Sequence, residues 1–160
     1  MEQKTKIHAE DGKHDIIITR EFDLPVELLF TAHTDAEIFG QWMSHEWGTT
    51  KVLKLEPKKH GSWGFQTSDM GGNVMVSAGG VFHEFVPNEK IIRTFEMANA
   101  PFGVQLEFLE FQKLGDDRSK LVMHSVFRTV ELRNELLKLP FSQGLGMAHD
   151  RLQNVLSKLK

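Results

Sequence analysis

Two kinds of hydrophobic spacing divide the chain, and helical spacing is clearest at its C-terminal end. From Ser142 to Lys160, apolar residues recur at intervals of one, three or four positions, which places them along one side of an α-helix. These apolar residues are Leu145, Ala148, Leu152, Val155, Leu156 and Leu159. Most upstream segments alternate apolar and polar residues, which is typical of β-strands. A long helix that follows a run of strands must bury its apolar side against their sheet.

The predicted order of elements is one strand, two short helices, six strands and two final helices. The first strand spans residues 14–22, and its residues on one face are Ile16, Ile18, Arg20 and Phe22. Pro25 and Asp35 begin the short helices, because proline suits the first helical position and aspartate caps a helix. The six later strands are joined by tight turns and predict an antiparallel meander with a bulge or bend at Gly79-Gly80. We therefore predict an α+β fold in which a curved seven-stranded antiparallel sheet encloses a cavity beneath the long helix.

Composition narrows the class of protein. The chain has 160 residues, for which we predict a flexible tail over residues 1–12 and a single domain over residues 13–160. It has no cysteine, which excludes disulfides and thiolate chemistry. A polar N-terminus and the lack of a long apolar run predict a cytoplasmic protein without membrane insertion. The net charge of -3, without a basic stripe, argues against nucleic-acid binding.

Motifs for common cofactor and metal chemistry are missing from the sequence. The eight histidines form no HxH, HxxxH or HExxH pattern, so we expect no metal site. No phosphate-binding glycine loop or GxSxG nucleophile motif occurs, and we expect no cofactor. Acid-base chemistry by His83 or His149 remains an open alternative.

The faces of the predicted strands and helices supply the candidate ligand-binding residues. On the strands these are Trp63, Phe65, Met75, Ser77, Val81, His83, Phe95, Leu106, Phe108, Met123 and Phe127. On the helices they are Trp42, Leu145, His149, Leu152 and Leu156. Core packing explains each of them taken alone, so the prediction depends on their collective arrangement around an apolar space. A few polar members would fix the orientation of a ligand there.

Three sequence motifs resemble the Hsp90-ATPase-activator-homologue (AHSA1-like) branch of the START/Bet v1-like (SRPBCC) superfamily over residues 14–159. The first motif comprises Arg20–Pro25, Leu29-Phe30, Thr34-Asp35 and Gln41-Trp42. The second comprises Gly80–Ile92 and Thr94-Phe95, and the third Gly144-Leu145 with Leu152. The resemblance implies a helix-grip fold: a seven-stranded antiparallel sheet grips the C-terminal helix, and two short helices close one end of a cavity.

The resemblance leaves three functional hypotheses open. The first is binding, without catalysis, of a small hydrophobic or amphipathic ligand, lipid-like or polyketide-like, between the sheet and the last helix. The second is an interaction module for an Hsp90-type chaperone, which predicts an exposed contact surface and a closed interior. The third is a cyclase-like or hydrolase-like enzyme that uses His83 and His149. Because Gly144 and Gly146 lower helix propensity, we expect the first turn of the last helix to loosen and admit a ligand.

Overall fold

The computed structural model describes residues 3–160, which form an eight-stranded antiparallel sheet and four α-helices. The strands are β1 (Lys6–His8), β2 (Asp15–Phe22), β3 (Gly48–Leu55), β4 (Ser62–Asp69), β5 (Val74–Val86), β6 (Lys90–Met97), β7 (Val104–Gly115) and β8 (Arg118–Val126). The helices are α1 (Val26–Thr34), α2 (Ala36–Met43), α3 (Val130–Leu137) and α4 (Phe141–Ser157). The predicted α+β class with a helix-grip-like arrangement is confirmed, whereas the predicted count of seven strands is wrong.

The additional strand, β1, lies in the segment 1–12, for which the sequence predicts a flexible tail. Lys6–His8 pair antiparallel with β2, and Ile7 lies opposite Ile18. A strand of three residues is too short to display the alternation on which the prediction depends. Met1 and Glu2, which belong to the same predicted tail, lie outside the described residues.

The sheet has the strand order β1-β2-β8-β7-β6-β5-β4-β3, so each strand from β3 to β8 pairs with its neighbour in sequence. At the predicted bend in β5, Cβ atoms on Gly79 and Gly80 would collide with the carbonyl oxygens of Trp63 and Thr94. Only glycine permits this approach of the backbones. The register shift between β5 and β6 falls a little later, at His83, rather than at the glycine pair.

The helices begin within one residue of the predicted positions, and α1 begins at Val26 directly after Pro25. Asp35 caps α2, because its side chain accepts a hydrogen bond of 3.0 Å from the amide of Ile38. Pro140 directly precedes α4, which begins one residue before the predicted Ser142. Among residues 3–160, no helix combines the length and the apolar character needed to cross a lipid bilayer.

The two halves of α4 have different surroundings. In its C-terminal half, Leu152 and Leu156 are fully buried in the hydrophobic core. The helix is also tied to its neighbours by polar contacts: Asp150 forms an ion pair of 2.7 Å with Arg20, and Arg151 Nε donates to the Trp42 carbonyl at 2.9 Å. Its N-terminal half contains residues that border a cavity.

The structure reverses the predicted faces of β5 and β7. On β7, the residues that face the helices are Gln105, Glu107, Leu109 and Phe111, which are all buried. The predicted inward residues Leu106 and Phe108 lie on the outer face, where the Phe108 ring packs on His124. On β5, the predicted residues Met75, Ser77, Val81 and His83 alternate with the inward residues Val76, Ala78 and Phe82. A shift of one residue in the assumed register moves every side chain to the other face.

Candidate ligand-binding cavity

A cavity of about 490 Å³ lies between the sheet and the N-terminal half of α4. Strands β2 and β4 to β8 contribute its sheet wall, and α1, α2 and the α3–α4 junction contribute the helical wall. The wall is predominantly apolar and rich in aromatic and aliphatic side chains, including Phe39, Phe102 and Leu136. Both the volume and the composition are typical of sites for small organic molecules.

The cavity wall contains many of the residues that the sequence predicts for it. These are Trp42, Trp63, Phe65, Phe95, Met123, Phe127, Leu145 and His149. The strand β4 supplies two of them, because Trp63 and Phe65 alternate there with small or polar residues and so mark the inward face. The role of these residues in binding a ligand stays a prediction.

Other predicted residues do not border the cavity. Met75, Ser77, Val81, His83, Leu106 and Phe108 fail because the inward faces of β5 and β7 are offset by one residue from the prediction. Leu152 and Leu156 do not border the cavity for a different reason. They lie in the C-terminal half of α4, where they are fully buried in the hydrophobic core. The substitution Leu152→Trp would therefore disrupt core packing and would not fill the cavity.

The structure separates the two histidines of the enzyme alternative. His83 is exposed on the outer side of β5, whereas His149 is buried on α4 and borders the cavity. Of the two candidates for acid-base chemistry in this cavity, His149 therefore borders it and His83 does not. His33 of α1, which the sequence does not single out, lies in the cavity wall instead.

The sequence prediction misses the centre of a buried polar cluster on the sheet wall, the ion pair of Arg93 and Glu107. Arg93 Nε on β6 donates a hydrogen bond of 2.8 Å to Glu107 Oε1 on β7. The other oxygen of Glu107 accepts from Gln105 Nε2 at 2.9 Å and from the Ser125 hydroxyl at 3.5 Å. All four residues are buried and border the cavity. Glu107 therefore has a bonded donor at each of its oxygens.

Arg93 keeps unused hydrogen-bonding capacity. Its guanidinium carbon lies 4.2 Å from the centroid of the Trp63 ring, within cation–π range. Its terminal nitrogens Nη1 and Nη2 have no hydrogen-bond acceptor among residues 3–160. Within that range, the polar side-chain atoms that are both sealed and unpartnered are Arg20 Nε, Trp63 Nε1 and Arg151 Nη2. Since Arg93 borders the cavity and its terminal nitrogens are not sealed, they are open to the cavity.

Two buried histidines also belong to the polar part of the wall. His33 Nδ1 donates to the Leu29 carbonyl at 2.9 Å, and His149 Nδ1 lies 2.8 Å from the Thr5 hydroxyl. Burial is the main cause that lowers the pKa of His33 to about 4 and that of His149 to about 3. Both imidazoles are thus neutral at pH 7.

The exposed part of the cavity lining marks its rim. Leu139, Pro140 and Gly144 of the α3–α4 junction border the cavity and are exposed to solvent. Met43 and His45, at the end of α2, are half-buried members of the same lining. Burial lowers the pKa of His45, and the neighbouring Arg151 lowers it further.

The sequence matches the model of one protein family. That family, described as activator of Hsp90 ATPase homolog 1-like protein, matches residues 23–157. The chain belongs to this family. No curated protein matched the chain.

Solved structures share the fold of this family member at low sequence identity. A protein from Rhodobacter sphaeroides superposes with a TM-score of 0.88 at 17% identity, over 98% of this chain and 99% of that chain. A protein from Mycobacterium smegmatis gives a TM-score of 0.84 at 13% identity, over 96% of both chains. A protein from Nitrosomonas europaea gives 0.79 at 20% identity, over 96% of this chain and all of the other. At these identities the similarity concerns the fold alone.

The donor set of the cavity does not form a metal centre. Within residues 3–160, no group of three histidine, aspartate or glutamate side chains has an arrangement that could hold a metal ion. Glu107, the carboxylate in the wall, is bonded to Arg93 instead. The polar groups of the wall instead offer hydrogen bonds within a predominantly apolar enclosure.

Proposed function

We propose that this protein binds a small hydrophobic or amphipathic ligand in the cavity between the sheet and α4, without catalysis. The observation that carries this proposal is the predominantly apolar cavity of about 490 Å³ beneath the N-terminal half of α4. Burial of apolar ligand surface there would contribute about 25 cal/mol per Å² to binding. Membership of the family is consistent with this role, because the wider superfamily commonly binds hydrophobic ligands.

The polar groups of the wall favour binding over catalysis. His33 and His149 have pKa values lowered to about 4 and about 3, far from the neutral range in which a general base is most effective. Glu107 is bonded at both of its oxygens, which leaves it poorly placed to take a proton from a substrate. These groups are better suited to orient a ligand than to transform it.

The cavity also favours ligand binding over the chaperone hypothesis. A pure interaction module requires a closed interior, because an unfilled cavity costs stability without contributing to a surface contact. The exposed Trp47, which stacks on His45 with ring centroids 4.6 Å apart, is the feature that suits a contact surface. Chaperone binding stays a prediction, which a pull-down with purified Hsp90 tests.

The experiment fills the cavity from α4 and compares two adjacent positions. Ala148 is buried in the cavity wall, whereas Met147 is exposed and does not border the cavity. Ala148→Phe should weaken binding of the uncharged fluorescent probe N-phenyl-1-naphthylamine by about tenfold or more, which corresponds to about 1.4 kcal/mol. Met147→Phe should leave binding unchanged.

Circular dichroism and thermal unfolding check that both variants are folded. Equal probe affinity in two folded variants would refute the cavity as the binding site. An amide NMR titration with lipids, flavonoids, sterols and polyketides then identifies the ligand class. Shifts that cluster on α4 and the inward strand residues are the expected result.

A further inference from the structure

We infer that the ligand presents an uncharged acceptor oxygen, such as a ketone or ester carbonyl, to the terminal nitrogens of Arg93. This inference rests on the proposed function, since it names the chemistry that the same cavity would select. Arg93 is a buried side chain in the cavity wall whose Nη1 and Nη2 atoms have no acceptor among residues 3–160. A guanidinium offers its N–H groups in a fixed fork, and hydrogen bonds from a charged donor are about twice as strong as neutral ones.

Arg93 is already held in position before a ligand arrives. Trp63 lies against the guanidinium at 4.2 Å, and Glu107 holds its Nε at 2.8 Å. Binding therefore orders no long, flexible side chain, which removes a usual entropic cost of recognition by arginine. Glu107 in turn is occupied by Gln105 and Ser125 and offers little to a donor on the ligand. The open groups of this cluster thus favour an acceptor.

The charges that face the cavity favour an uncharged acceptor over a carboxylate. Arg93 and Glu107 cancel each other at 2.8 Å. His33 and His149 are neutral at pH 7 because burial lowers the pKa of each ring. The half-buried Arg151 is a further cation of the lining; its Nε donates to the Trp42 carbonyl, and the carboxylates of Asp150 and Glu46 lie close enough to offset its charge. A ligand carboxylate beside Glu107 would set two buried anions against one buried cation, an arrangement with a large desolvation cost.

The test uses three ligands that share one ring system and differ only at the end that would meet Arg93. These are 2-acetylnaphthalene with a carbonyl, 2-ethylnaphthalene without an oxygen, and 2-naphthoic acid with a carboxylate. Affinities are measured at pH 7 by displacement of N-phenyl-1-naphthylamine and by amide NMR. The wild-type protein should bind the ketone about tenfold or more tightly than the hydrocarbon, which corresponds to about 1.4 kcal/mol.

Two variants ask whether Arg93 causes this preference. Arg93→Met/Glu107→Gln removes both charges together, so that neither is left buried alone, and keeps an acceptor for Gln105. Arg93→Lys keeps the charge but lacks the forked nitrogens. It tests whether Arg93 causes the preference for the ketone if the double variant does not fold. In both variants the preference for the ketone over the hydrocarbon should shrink to about twofold or less.

The outcomes separate this inference from the proposed function. Equal wild-type affinity for the ketone and the hydrocarbon overturns the role of Arg93 but leaves ligand binding intact. Tighter binding of the naphthoate than of the ketone shows that the selected group is an anion, and overturns the uncharged acceptor. A ketone preference that persists in folded Arg93 variants assigns it to another part of the wall. Failure of all three ligands and of the fluorescent probe to bind contradicts the proposed function itself.

Discussion

Arg93→Met tests how strongly the polar cluster is shielded from water. The side chains of Arg93 and Glu107 are 7% and 6% exposed, and Arg93 Nε lies 2.8 Å from Glu107 Oε1. At an effective dielectric constant of about 20, two unit charges at that distance attract by about 6 kcal/mol. Desolvation offsets part of this attraction, so removal of one partner from a buried pair costs about 3–5 kcal/mol. We expect Arg93→Met to lower the free energy of unfolding by that amount.

The matched double variant separates the charge from the packing. Arg93→Met/Glu107→Gln leaves no buried charge behind, and replacement of a whole buried pair is often close to neutral. We therefore expect the double variant to lie within about 2 kcal/mol of the wild type. The loss of the cation–π contact between Arg93 and Trp63, at about 0.5–2 kcal/mol, falls within this margin. The double variant should thus be more stable than Arg93→Met.

Urea unfolding at pH 7, followed by circular dichroism at low and high salt, measures these differences. A shielded pair should respond little to salt, because screening acts chiefly on exposed charges. A cost below about 1 kcal/mol for Arg93→Met, with the double variant no more stable than the single, would be typical of a surface ion pair. That result would mean that water solvates the cluster, and it would refute the argument for strong selection by Arg93.

Three further predictions concern other parts of the molecule. Unfolding raises the pKa of His33 and of His149 from its lowered folded value, so the unfolded chain takes up protons in acid. Below about pH 6.5 the free energy of unfolding should therefore fall by up to about 1.4 kcal/mol per pH unit for each of these histidines. Urea unfolding at several pH values measures this slope, and a flat profile from pH 6.5 to 5 contradicts it. Gly144→Ala should stabilise α4 by about 1 kcal/mol, because a Cβ at this position meets nothing within 4 Å. A more stable first turn should slow ligand association in stopped-flow measurements. An unchanged association rate would show that the ligand does not enter through this turn. Gly80→Ala should lower the melting temperature strongly, because its Cβ collides with the carbonyl oxygen of Thr94 on β6. Gly64→Ala is the control, since its Cβ makes only an ordinary contact of 3.5 Å with the carbonyl oxygen of Ala78. Equal melting temperatures of the two variants would contradict the close approach.

The parts of the fold that the sequence predicts correctly are those with unambiguous local signals. Asp35 marks the start of α2, and the spacing of Ile16, Ile18 and Phe22 at even positions identifies the inward face of β2, although Ile17 on the other face is also apolar. The strand β1 is missed because three residues carry no periodicity. The inward face of β5 is predicted wrongly because hydrophobic and small residues occupy both faces of this strand. The sequence pattern therefore does not indicate which face points to the core. Local chemistry therefore predicts the ends and order of elements better than the faces of long strands.

The division of α4 into a sealed half and a cavity-lining half also lies beyond sequence periodicity. Leu145 and Leu152 belong to the same apolar stripe, yet the first borders the cavity and the second is fully buried in the core. Periodicity reports which side of a helix turns inward, but not how far the opposing surface lies from it. That separation depends on the path of the sheet and on the junction between α3 and α4.

The polar cluster leaves a signal in the sequence that a comparison of adjacent strands can detect. If Phe95 faces inward on β6, then alternation places Arg93 on the same inward face. A buried arginine requires an anionic partner, and the antiparallel register sets Arg93 opposite Glu107. This requirement determines the face of β7 against its hydrophobic pattern, because an inward Glu107 forces the neighbouring Leu106 and Phe108 outward. Burial of this ion pair at the expense of hydrophobic alternation, with the terminal nitrogens of Arg93 open to a cavity, supports the proposed role of Arg93 in ligand binding, because core packing alone does not require it.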